Sequence, residues 1–272
     1  MRLSITEIPE FLTALIKKNE VKFSVVIPSW NDYRILRTID SIINQNYKSS
    51  NIEIVIIDKN SNKKILDSIK KKLRKNDQII VEKDNGIFFA INKGINKCSN
   101  KYIFTIGSDD YINNKTFFKK ISDQITKNKP DLIFFGVNYI TNNNFIFRKW
   151  PPYKLNFFNK FIGRQFPHFG MICTKDLYRK YNFFDTSLKP NADFDFFYKL
   201  DIKKINIIYL KFFPVNMTFG GDSAKDIKTF ILVNLKILYI LIRRYPIFIL
   251  GFFIKPIHKI LEVTIFRLIY KY

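Results

Sequence analysis

Cysteine and histidine are almost missing from these 272 residues, with two of each. Cys98 and Cys173 lie far apart and lack metal-ligand spacing, which predicts a reduced, cytoplasmic chain without a disulfide framework. With only His168 and His258 present, nothing supports a Ser-His-Asp or Cys-His hydrolase arrangement. Glycine is sparse at nine residues, and neither G-x-G-x-x-G nor G-x-x-x-x-G-K-[ST] occurs. The usual glycine cradles for dinucleotides and triphosphates are therefore absent. Acids are half as numerous as bases: 23 Asp and Glu against 46 Lys and Arg leave a net charge of +23. Such a surface attracts nucleic acid, anionic lipid or phosphorylated substrates, and charge alone does not choose among them. No apolar run reaches the ~20 residues of a membrane-spanning helix.

Apolar residues, by contrast, make up 47% of the chain and aromatics 17%, enough for a sizeable core and against global disorder. The first twenty residues carry acids and no uninterrupted apolar stretch, unlike a signal peptide. Ile8, Phe11, Leu12 and Leu15 place one apolar side on a short amphipathic helix over 1–20. From there strands and helices alternate. β-Branched runs at 22–30, 52–58, 78–83 and 101–107 read as buried strands. Helical spacing marks 32–45, 62–75 (with Ser61 set to cap it), 86–98 and 116–127, and 131–140 is extended again. This alternation predicts a mostly parallel sheet covered by helices, with ligands bound beyond the carboxyl ends of the strands.

Asp58 ends one such strand, and Asp109 and Asp110 follow another, so three carboxylates converge on one rim. An Asp pair there either terminates the strand and starts the next helix or holds a cation, and hard carboxylate oxygens suit Mg²⁺ or Mn²⁺. "ADFDFF" opens a helix with Asp193 and Asp195. Each is either an acid favoured by the helix dipole or a general base, and their spacing lets only one serve. His168 fits a ligand contact or a hydrogen-bonded structural role equally well. Gly220 and Gly221 suit a tight turn.

Seven stretches in order, "SVVIPSWND", "IEIVIIDKNS", "EKDNGIFFAINKGI", "IGSDDYI", "PHFGMI", "ADFDFF" and "GGDS", resemble the family 2 inverting glycosyltransferases. The likeness is to the bacterial members that build surface polysaccharides, and it covers roughly residues 22–226. It implies a GT-A nucleotide-diphosphosugar transferase fold, with a catalytic domain over 21–226. Within it, 21–112 would bind the nucleotide sugar and 113–226 would form the acceptor side. By that resemblance Pro28, Trp30 and Asn31 wrap the nucleotide and Asp58 accepts from a uracil ring. Asp84, Asn92 and Gly94 line the sugar-diphosphate site. Ser108, Asp109 and Asp110 stand at the DXD motif, with Asp109 toward ribose and sugar and Asp110 on Mn²⁺ or Mg²⁺. Asp193 matches the catalytic base, with Asp195 as the alternative, and His168 and Ser223 reach the acceptor or the diphosphate. The sequence departs from the family at Ser108, where an acid is usual, at Phe88-Phe89, where Tyr-Asp is common, and at "PHFG", which replaces a His-Gln pair.

Residues 227–272 change character: basic residues interleave with Leu, Ile, Phe and Tyr, and Glu262 is the one acid. That pattern predicts a helical tail lying on an anionic membrane surface, against the alternative of helices packed on the domain or in a homo-oligomer. The expected activity is transfer of a sugar, UDP-linked by preference, to a saccharide or lipid-linked saccharide in cell-surface polysaccharide synthesis. A peripheral, cytoplasmic-face location follows. A silent, saccharide-binding scaffold is the alternative. A nucleic-acid module is disfavoured, because the basic residues spread over helices and tail instead of one aromatic face.

Overall fold

The structure is a computed structural model that describes residues 20–83, 85–162, 164, 166–218 and 227–253. Residues 1–19 of the amphipathic helix expected over 1–20, Asp84, and the glycine turn with Gly220, Gly221 and Ser223 lie outside the described residues.

Nine strands form one sheet: β1 (Phe23–Ser29), β2 (Ile52–Asp58), β3 (Gln78–Val81), β4 (Tyr102–Thr105), β5 (Tyr111–Ile112), β6 (Leu132–Ile140), β7 (Ile146–Trp150), β8 (Met171–Thr174) and β9 (Ile207–Thr218). The helices are α1 (Ile35–Ile43), α2 (Lys63–Lys72), α3 (Ile87–Lys97), α4 (Phe117–Asn128), α5 (Phe157–Phe161), α6 (Lys175–Lys180), α7 (Ala192–Lys199) and α8 (Ile227–Arg244). Strand order is β3-β2-β1-β4-β8-β6-β9-β5, with β7 added to β6. The first four strands are parallel, joined by helices as the alternating pattern predicts. Beyond β4 the sheet is mixed. β8 runs antiparallel to both neighbours, while β6 and β9 are parallel.

Alternation along β1 and β2 divides the core in two. Phe23, Val25, Ile27, Ile52, Ile54 and Ile56 pack against α1, α2 and α4. Val26, Val55 and Ile57 face α3 and, with Ile103 and Phe134, the aromatic residues of α7. Both faces are covered, so the strands read as continuous apolar runs. Helix α2 is capped by Asn62, whose side chain accepts from the Ile65 N–H. The sequence signal pointed to Ser61; the structure instead uses that hydroxyl one residue earlier, on Asp58.

Pro28 sits inside β1, a central strand, which normally tolerates no proline. Its place is explained by β4, which pairs with β1 only from Phe23 to Val26. The two strands part there, and no ladder bond is lost. That divergence opens the rim on which the candidate site lies. β6 supplies the other wall. Its one edge carries β8 along Leu132–Phe134 and then β7 along Val137–Ile140. The turn Pro167–Gly170, with His168, fills the step between them.

Helix α8 does not stand free. Ile237, Ile240 and Leu241 bury themselves with Phe194 and Tyr198 of α7 in a third apolar cluster.

Candidate active site

Two short loops are knitted together where β1 and β2 end side by side, Ser29 opposite Asp58. Asp58 is fully buried. Its carboxylate accepts from the Ser61 N–H at 2.6 Å and from the Ser61 hydroxyl at 2.7 Å. The same hydroxyl accepts from the Asn31 N–H at 2.7 Å, and the Asn31 side chain accepts from the Asn62 N–H at 2.8 Å. Asn31 takes a left-handed φ of 48°, which asparagine tolerates better than most residues. Asp58 thus shapes the loop, and a base edge would have to share a carboxylate already accepting two bonds. Trp30, beside it, is 61% exposed, with the Lys59 ammonium 5.1 Å from its ring centroid.

After β4 the chain turns sharply through Gly107, Ser108, Asp109 and Asp110. Gly107 makes room there: a Cβ would sit 2.7 Å from an Asp110 carboxylate oxygen, so any larger residue would have to displace that side chain. Helix α1 and strand β9 hold the turn. The Thr38 hydroxyl lies 3.0 Å from the Ser108 carbonyl and 2.5 Å from that of Asp110. Arg37 donates to the Asp109 carbonyl at 2.8 Å, and Arg34 lies 3.6 Å from the Asp109 carboxylate. Thr218, at the end of β9, donates its N–H to the Asp110 carboxylate at 2.9 Å and its hydroxyl to the Asp109 carbonyl at 2.8 Å.

Asp110 is 3% exposed. Burial, and then the neighbouring Asp109 charge, push its carboxyl up to about 8. Burial also raises Asp109, against the pull of Arg34. Arg34 and Arg37 offset only part of this, and a hard divalent cation matches carboxylate oxygens so placed. Among the described residues no three His, Cys, Asp or Glu side chains converge as a full metal cage.

Asp193 lies in the first turn of α7, partly exposed, with one oxygen accepting from the Phe194 N–H at 2.9 Å. Its other oxygen is 3.4 Å from His168 Nδ1. His168 sits among Phe88, Phe169 and Phe184, and its Nε2 is buried without a hydrogen-bond partner. The structure therefore brings together Asp193 and His168, two residues 25 positions apart in the chain. Asp195 is placed differently. It is 1% exposed and accepts from Arg244 at 2.9 Å and from the Tyr245 hydroxyl at 3.0 Å.

Asn92 and Gly94 serve packing. The Asn92 amide donates to the Phe184 carbonyl at 2.7 Å and accepts from the Phe184 N–H at 3.1 Å, clamping α3 to the loop before α7. A Cβ on Gly94 would meet Val26 Cγ1 at 2.4 Å, so glycine lets α3 lie on the sheet. Sequence inspection missed Arg34, Arg37, Thr38, Thr218 and Tyr139. Tyr139 is pushed up to about 12, chiefly by burial, with Asp110 and Asp193 adding to the rise. Nothing local in the sequence marks these residues, since each acts across the sheet.

Solved glycosyltransferase structures share this architecture. Residues 1–349 of TarS from Staphylococcus aureus, in complex with UDP-GlcNAc, match with a TM-score of 0.62 at 20% identity, over 80% of this chain and 67% of that one. The mannosyltransferase PcManGT from Pyrobaculum calidifontis, in complex with GDP-Man and Mn²⁺, matches with a TM-score of 0.59 at 11% identity, over 86% and 69%. The fold is thus that of the GT-A glycosyltransferases. The sequence profile of glycosyl transferase family 2 matches residues 24–183, more than half of the chain. The chain belongs to that family. An uncharacterised glycosyltransferase of Methanocaldococcus jannaschii is 28% identical over 195 residues, 66% of this chain and 67% of its own. The poly(ribitol-phosphate) beta-N-acetylglucosaminyltransferase TarP of S. aureus is 31% identical over 123 residues; that match covers 41% of this chain and only 35% of the relative.

Proposed function

We propose that this chain is an inverting, metal-dependent glycosyltransferase that moves a sugar from a UDP-linked donor to a saccharide or lipid-linked saccharide in cell-surface polysaccharide synthesis. The observation that carries this reading is the Asp109–Asp110 pair just past β4, whose Thr105 hydroxyl lies 3.5 Å from the His168 carbonyl, with His168 Nδ1 3.4 Å from the Asp193 carboxylate. Donors seen in structural neighbours, UDP-GlcNAc and GDP-Man, support a nucleotide sugar.

Asp110, with Asp109 beside it, would hold Mg²⁺ or Mn²⁺, and the remaining oxygens would come from the donor diphosphate. A bound divalent cation neutralises charge building on the departing diphosphate. Trp30 and Asn31 flank the nucleotide, with Asp58 shaping their loop. Asp193 takes the proton from the acceptor hydroxyl as that oxygen attacks the anomeric carbon, and the sugar–phosphate bond breaks with its electron pair on the diphosphate. His168 orients the Asp193 carboxylate. Asp195, tied to Arg244, is left out of the chemistry. The Asp84 and Ser223 contacts implied by the family resemblance remain part of the proposed donor site.

Isothermal titration of UDP tests the assignment, with Mn²⁺ and then with EDTA. Binding is expected with the metal, and at least about tenfold weaker without it or in Asp110→Asn, the effect of one lost charge-assisted contact. Asp193→Asn is expected to keep UDP affinity and lose donor turnover. Absence of UDP binding in every condition would move the reading to a silent saccharide-binding scaffold.

A further inference from the structure

The β6–β7 hairpin reaches from the side of the Asp109 turn to the His168 turn. At its tip the Asn144 side chain accepts from Arg37 and from the Tyr111 hydroxyl, each at 3.3 Å, and Arg37 is the residue that also holds the Asp109 carbonyl. At its base Val137 lies against the His168 turn: a Cβ on Gly170 would meet Val137 Cγ1 at 3.2 Å and the Phe135 carbonyl at 2.9 Å. Between these ends the hairpin presents an aromatic surface. Trp150 stacks on Tyr139 with centroids 5.8 Å apart and planes 20° apart, and Phe147 joins at 6.1 Å. Phe145 is 67% exposed and Phe147 43%. Register places Arg148 opposite Tyr139, and its guanidinium lies 5.8 Å from the Tyr139 centroid and 5.4 Å from that of Trp150. Among the described residues no carboxylate pairs with Arg148.

Exposed Phe145 and Phe147, with half-buried Tyr139 and Trp150 beside them, leave apolar ring surface open to solvent, and contiguous apolar surface of this kind suits a binding role. Rings that stay flat and part-exposed suit the apolar face of a sugar ring. A guanidinium held on aromatic faces keeps its edge donors free for a bidentate contact to phosphate or carboxylate. We propose that the hairpin surface of Tyr139, Phe147, Arg148 and Trp150 is the acceptor platform and that it selects saccharides bearing a phosphate or carboxylate group. This rests on the transferase reading for its role, though not for its binding. A long polyanion such as nucleic acid fits less well, because its backbone would run past Asp110 and Asp193.

The chain has two tryptophans, Trp30 and Trp150. Protein labelled with 5-fluorotryptophan therefore gives two fluorine NMR resonances, assigned with Trp150→Phe. Glucose 6-phosphate and glucuronate are expected to shift the Trp150 resonance saturably. Their apparent affinities should exceed that of methyl glucoside by about tenfold, the effect of one charge-assisted contact. Inorganic phosphate alone should leave the resonance in place, and Arg148→Gln should abolish the preference while keeping the rest of the spectrum. Equal affinity for the neutral sugar overturns the proposal, as does an unchanged preference in Arg148→Gln. So does a Trp150 shift with a single-stranded oligonucleotide and none with the sugars. UDP titrated into the same sample separates the two levels: UDP binding without a Trp150 response removes only the platform, while a Trp150 response without UDP binding removes only the transferase reading.

Discussion

Lys160 shows how one side chain can couple the fold to pH. It is 6% exposed, and its ammonium donates to the Tyr198 carbonyl at 3.0 Å and the Leu200 carbonyl at 3.1 Å, at the C-terminal end of α7. Burial lowers it to about 8 from 10.5, with Asp201 pulling weakly the other way. Between those values the unfolded chain binds more protons than the folded one, so this group's contribution to stability rises with pH. Below about 8 both states carry the charge, and the burial penalty is fully present. Wild-type stability minus that of Lys160→Met, from urea unfolding, is expected to grow between pH 8 and 10. A flat difference would mean that the ammonium keeps its ordinary pKa. The same electrostatics act on Asp110 with the opposite charge: burial opposes its carboxylate.

Among the elements, α8 and α7 form a pair that sequence inspection split between two domains. Arg244 spans Asp195 at 2.9 Å and Asp185 at 2.7 Å. Asn191 donates to the Val233 carbonyl at 2.9 Å, and Lys236 to the Lys189 carbonyl at 2.6 Å. Helix α8 therefore grips α7 and the loop before it, and α7 carries Asp193. Removing one partner of a fully buried ion pair costs roughly 3–5 kcal/mol. Arg244 is 42% exposed, so Arg244→Ala is expected to cost less, about 2 kcal/mol by the same argument. In a double-mutant cycle with Asp195→Ala the costs should fall short of additive. Strict additivity in urea unfolding would show that the two helices are not coupled there. Cutting the chain before α8 would strip this strut as well as any membrane contact, so point substitutions are the cleaner probe of the tail.

For the whole molecule, the question is where +23 charges go. The face of α8 turned from α7 exposes Ile231, Leu232, Leu235, Tyr239 and Ile242, flanked by exposed Lys228, Lys236 and Arg243. Ile247, Leu250 and Phe253 extend the stripe. No helix among the described residues is long and apolar enough to cross a membrane. An apolar stripe edged with bases is the pattern that lies in an anionic lipid interface, and we propose that it seats the chain on such a surface. Leu235→Glu with Tyr239→Glu is expected to weaken co-sedimentation with phosphatidylglycerol vesicles by about tenfold, with UDP affinity unchanged. Equal sedimentation would assign the stripe to a protein partner.

The alternation of apolar runs by itself determined the parallel half of the sheet and its covering helices, because periodicity and burial are local properties of a strand or helix. Motif order likewise identified the family and singled out Asp109, Asp110 and Asp193 as candidates. Only the tertiary structure decided the rest. It paired Asp193 with His168, put Thr218 on Asp110, and spent Asp195 on the tail. It gave Asn92 and Gly94 to packing, moved the α2 cap from Ser61 to Asn62, and raised the β6–β7 aromatics beside the site. Each of these depends on contacts between residues far apart in the chain. Which of two equivalent side chains is buried, paired or free is set by what crosses over it, and no local pattern records that.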